Sequence, residues 1–126
     1  MKIVAIVARY LLALGFLVFG MNIYMHYIPT GPLPPGDAGQ FLGVLMSSRF
    51  VNVVGLFEVV PAILLIFNRY VPLALALLAP VLFNIIVFHL LMAPSGLPIA
   101  AIFVVLWFLV FYPVRFAFSG LLQKQS

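Results

Sequence analysis

Between Phe50 and Phe67 the chain runs for about 18 residues, long enough to cross a bilayer as a helix, with one charged side chain, Glu58, at the midpoint. A charge at the centre of a bilayer costs at least about 2.5–3.5 kcal/mol. Glu58 therefore has to face protein, water or a ligand rather than acyl chains. The remaining helices must be arranged to shelter it.

Composition narrows the class further. Of 126 residues, 67% are hydrophobic and 6% charged, which leaves too little polar surface to cover a water-soluble globule. The expected object is a single membrane domain over residues 1–126. The net charge of +4 comes from six basic residues scattered among apolar runs, so no basic patch for nucleic acid forms. The chain has no cysteine, which excludes disulfide exchange, thiolate catalysis, iron–sulfur ligation and zinc–thiolate sites built from its own residues. No metal site is expected.

The breaks divide the chain into four apolar spans at about 3–27, 50–67, 71–92 and 97–118. Arg9 interrupts the first run and no small-x-small cleavage site precedes Asn22, so this run reads as a retained span. The prolines at 29, 32, 34 and 35 cannot continue a helix and predict an extended segment. Asp37 with Gln40 has capping-box spacing and predicts a short interfacial helix over about 37–48. Asn68 to Pro72 predicts a tight turn with Pro72 in the first turn of the next helix. The short links make spans two, three and four antiparallel neighbours. The resulting fold class is all-α: an up-down bundle of four transmembrane helices, with a Pro-rich segment and an interfacial helix after the first span.

Lys2, Arg9, Arg69, Arg115 and Lys124 fall on or near one side of these spans. The other side has Arg49, offset by Asp37. An excess of Lys and Arg on one face predicts that both termini are cytoplasmic.

Within the spans the polar residues are few. At roughly 1.5 Å per residue, Glu58 lies about 12 Å below the outer end of its helix, and Asn84 lies at a similar depth on the third span. His89 and His26 are nearer the outer surface, and Asn22 shares a helix face with His26. Gly15 and Ala8 extend that face inwards, while Gly55 and Ala62 flank Glu58, as small residues do where helices approach closely. Pro61 and Pro80 free the carbonyls of Phe57 and Ala76. Either these carbonyls join Glu58 in a polar spot at membrane depth, or the prolines only kink their helices.

Two partners are open to Glu58. Arg9 is about one helical turn away in depth, although the two side chains lean in opposite directions. The alternative is a neutral carboxyl hydrogen-bonded to Asn84 or a freed carbonyl. The residues expected to form a polar cleft are thus Glu58, Asn84, His89, Asn22, His26 and Arg9. His26 and His89 also meet the minimum requirement for haem b ligation. Trp107 and the thirteen phenylalanines read as packing or lipid-facing residues, with an aromatic groove for a quinone or lipid as the functional alternative.

In sequence order, several motifs resemble the DoxX family of small four-helix membrane proteins. They are Arg9 with Gly15 and Gly20, Phe41-Leu42-Gly43, Val54-Gly55-Leu56-Phe57-Glu58, and Asn68-Arg69-Tyr70-Val71-Pro72-Leu73-Ala74-Leu75. Ala79-Pro80, Asn84 and Phe88-His89 complete the set. The resemblance covers nearly the whole chain. It implies a multi-pass protein of the bacterial inner membrane, associated with thiosulfate:quinone oxidoreduction or with oxidative-stress complexes.

The functional expectation is a membrane subunit or accessory component of a redox system, not catalytic alone. Its cleft would be centred on Glu58, which would handle a proton, and would admit a quinone headgroup or a small solute. The alternatives are a structural or assembly scaffold, and a small-solute transporter or channel formed as an oligomer. The partners expected are the lipid bilayer, other membrane or redox subunits, and further copies of the chain.

Overall fold

The computed structural model describes residues 2–28 and 31–124, with the side chain of Leu122 set aside. Pro29 and Thr30, part of the expected Pro-rich segment, lie outside the described residues. Five α-helices follow one another: α1 (Lys2–Met25), α2 (Gly36–Ser47), α3 (Phe50–Ile66), α4 (Val71–Leu91) and α5 (Leu97–Val114). A 3₁₀ turn over Pro94–Gly96 links α4 to α5, and a 3₁₀ segment over Arg115–Leu122 follows α5. Pro113 explains the change of coil at that point. It cannot donate to the carbonyl of Leu109, and the α-helix ends one residue later.

Helices α1, α4 and the α5 region are long and apolar enough to cross a bilayer. Helix α3 has 17 residues, or roughly 25 Å, short of the ~30 Å hydrocarbon core. It reaches the length of a span only together with α2, from which it is bent by 84°. The bend is made at Arg49, whose φ of 63° places it in the left-handed region. The expected capping box does not form. Pro35 precedes the first residue of α2, and Asp37 falls inside the first turn without a capping hydrogen bond. There its charge still complements the helix dipole. The carbonyl of Pro34 lies against Gly39 and Leu33 lies over Gly43, so the Pro-rich strap runs along α2. A side chain at Gly39 would collide with that backbone.

Helix α1 packs on α3 and α5, and α4 packs on the same two, closing a four-sided ring. Hydrogen bonds give the directions. Arg9 near the start of α1 donates to the Leu65 carbonyl at the end of α3, and the Tyr24 hydroxyl near the end of α1 donates to the Asn52 carbonyl at the start of α3. Trp107 Nε1 donates to the Leu75 carbonyl at 3.0 Å, joining the far half of α5 to the near half of α4. Neighbours are therefore antiparallel. The start of α1 and the end of α5 lie at one end of the ring, and α2 lies at the other.

Small and branched residues fill the centre. Leu12, Ala13, Pro61, Ala62, Leu65, Ala74, Leu75 and Leu78 are fully buried. The outer surface is apolar as well, with Leu11, Phe57, Phe83, Ile102 and Phe108 among the exposed side chains. Such a surface exceeds what water-soluble proteins expose and suits acyl chains.

Candidate functional site

Glu58 is the one buried charged residue among those described, with 7% of its surface exposed. It lies on the face of α3 that also carries Gly55, Ala62 and Leu65, all buried against the bundle. The spacing of three and four residues puts these on one stripe. Across from it, Gly20 of α1 brings the two backbones close. The Tyr24 ring occupies the space that a side chain at Gly55 would need.

Glu58 opens onto a cavity of about 300 Å³ to which all four ring helices contribute. Phe16 and Phe19 of α1 and Phe103 of α5 form an aromatic wall, with edge-on contacts from Phe103 to the other two at 5.2 and 6.3 Å. Leu82, Ile85 and His89 come from α4, while Gly96, Ile99 and Ala100 close the side nearest the α4–α5 turn. Phe19 and Ile99 are 51% and 62% exposed, so the cavity reaches the outer surface between α1 and α5. It lies in the half of the bundle nearer α2.

The six expected cleft residues divide. Glu58 and His89 line the cavity. Arg9 does not pair with Glu58. Its guanidinium reaches the Leu65 carbonyl, two turns away along α3, and lies over the Tyr10 ring at 4.6 Å. The cause is the one that weighed against the pair: the side chains lean away from each other, and the last turn of α3 offers carbonyls without helical partners. Asn84 is exposed and donates to the Pro80 carbonyl one turn back at 2.8 Å, so it does not reach Glu58. Pro80 is exposed too, which removes it and the Ala76 carbonyl from the neighbourhood of the acid.

Asn22 closes the end of its own helix, its Oδ1 accepting from the Ile28 amide at 2.7 Å. His26 follows α1 in a left-handed conformation with φ 53° and is exposed. It does not line the cavity with His89, so the two imidazoles do not face a shared space. His89 is part-buried, and its Nδ1 lies 2.8 Å from the Ile85 carbonyl oxygen.

Among the described residues no side chain hydrogen-bonds Glu58, since Arg9, Asn84 and His89 all engage backbone carbonyls. Its oxygens are not sealed, unpartnered atoms either. Glu58 lines the cavity, where an incoming molecule can meet it.

Sequence reasoning did not single out Phe16, Phe19 or Phe103. The signal for them was Gly15, which is small because the Phe103 ring packs on it. No family model, curated protein or solved structure matches this chain.

Proposed function

We propose that the chain is a DoxX-like protein of the bacterial inner membrane that crosses the bilayer four times and acts as a quinone-handling subunit of a redox system. The observation that carries this reading is the cavity of about 300 Å³, walled by aromatic and aliphatic side chains and holding one carboxyl without a hydrogen-bond partner among the described residues. Its volume stands at the lower end of small-molecule pockets, and an apolar cavity of about 150 Å³ already holds benzene. One substituted ring fits, and a long tail does not. The tail leaves between Phe19 and Ile99, into lipid. A molecule with an apolar ring, a polar edge and a membrane-soluble tail matches all three features.

In this reading a bound hydroquinone is oxidised to the quinone: one hydroxyl proton goes to Glu58, the other to water at the outer face, and the two electrons pass to an acceptor in a partner subunit. The topology follows from charge. Lys2, Arg69, Arg115 and Lys124 all belong to the end of the ring that carries the chain termini, which is then the cytoplasmic end. The α2 end and the cavity mouth face outwards, with α2 along the interface.

The test is extraction of protein purified from its native membrane in mild detergent. A quinone or its quinol, counted together after extraction, is expected at close to one per chain, and it should be depleted in Glu58→Leu protein prepared in parallel. A quinone-free preparation that does not take up added quinone or quinol contradicts the proposal.

A further inference from the structure

We infer that the cavity holds its ring with a hydrogen-bond acceptor at each end, Glu58 at one and His89 Nε2 at the other, and so selects a 1,4-dihydroxy aromatic over the corresponding quinone. The inference deepens the proposed quinone site and rests on it.

The tautomer of His89 supplies the first step. A carbonyl oxygen only accepts, so the contact of 2.8 Å between Nδ1 and Ile85 places the proton on Nδ1. In the neutral ring, Nε2 is then a bare acceptor. The Nε2 edge packs on Gly96, which lines the same cavity. A side chain at Gly96 would displace the imidazole from this position.

Helix direction supplies the second step. Glu58 is eight residues from the start of α3, and His89 is two residues from the end of α4. With those helix ends level, their Cα atoms differ in height by roughly 9 Å. Side chains lean towards the N-terminus of their own helix. Because α3 and α4 are antiparallel, Glu58 leans towards the α2 end while His89 leans away from it. The two residues therefore line the cavity at different heights, leaning towards each other.

Between them the walls supply no donor. Phe16, Phe19, Phe103, Leu82, Ile85 and Ile99 carry no polar side-chain atom. A hydroquinone gives one hydroxyl to each acceptor. A quinone brings carbonyl oxygens to both ends and leaves them unpaired, which is unfavourable in an apolar site. A protonated Glu58 could donate to one carbonyl, but the Nε2 end still offers nothing.

Calorimetric titration of the purified protein tests this, under anaerobic conditions at about pH 8. The probes are tetramethyl-1,4-hydroquinone and tetramethyl-1,4-benzoquinone. The hydroquinone is expected to bind about tenfold more tightly or better, the effect of one unmade hydrogen bond. In His89→Phe that preference should shrink to within about threefold, with quinone affinity unchanged. Glu58→Gln, which introduces an amide donor, should narrow it from the other side. Equal affinities, or tighter quinone, overturn the inference while leaving a ring-binding site in place. Failure of both probes to bind a preparation with a single cooperative thermal transition overturns the inference and the proposed function together.

Discussion

Gly20 of α1 lies directly against Glu58 of α3. A methyl group added to Gly20 would stand 3.1 Å from the Glu58 Cβ and 2.8 Å from the Val59 Cγ2. The helices therefore approach closely at the level of the acid, and Glu58 is buried there. The β-branched Val59 has little rotamer freedom with which to yield. Gly20→Leu is expected to destabilise the bundle by about 1–3 kcal/mol through overpacking, offset by at most about 1 kcal/mol of improved helix propensity. Unfolding of the purified variant in graded denaturing detergent measures the difference.

Glu58 contributes a binding group rather than a tie between helices. No described side chain bonds it, so neither Glu58→Gln nor Glu58→Leu should lower stability by more than about 1 kcal/mol. Ring binding should survive in part in the Gln variant and vanish in the Leu variant. A scaffold protein locked by this residue would behave differently. There Glu58→Leu would lower the melting temperature and yield, with no ligand effect to observe.

Arg9, one of the two partners left open for the acid by the sequence, ties two helices instead. Its bond to the Leu65 carbonyl joins the start of α1 to the last turn of α3, where a cation also meets the negative end of the helix dipole. Arg9→Met should cost about 1.5–3 kcal/mol, the range for hydrogen bonds to charged groups. Arg69→Met, in the exposed turn between α3 and α4, is the control and should stay within about 0.5 kcal/mol. Thermal unfolding of the two variants side by side separates these outcomes.

Much of the backbone was legible because its punctuation is chemical. Pro72, Pro94 and the Pro-rich stretch before Gly36 mark where helices begin or cannot run, and the observed limits fall within a few residues of those expected. The stripe Gly55, Glu58, Ala62 followed from helical period alone, and all three are buried. What could not be read were bonds from side chains to backbone carbonyls of other helices. Tyr24 to Asn52 and Trp107 to Leu75 depend on how helices rotate against each other, which no spacing within one helix encodes. Asn84 was misassigned for a local reason. Its own helix offers a carbonyl four residues back at Pro80, so it needs no distant partner. The aromatic wall was hidden in a chain with thirteen phenylalanines, most of which have no reason in sequence to differ from one another.

The central claim is that the Glu58 carboxyl faces an apolar cavity open to a ring-shaped ligand. The chain has two side-chain carboxyls, Glu58 and the exposed Asp37, so carboxyl-selective labelling read out by peptide mass spectrometry has a built-in control. A lipid-soluble carbodiimide should modify Glu58 and be slowed severalfold by the tetramethyl hydroquinone, whereas a water-soluble carbodiimide should modify Asp37 alone. Glu58 left unmodified by the lipid-soluble reagent, or modified at a rate the hydroquinone does not change, would contradict the account.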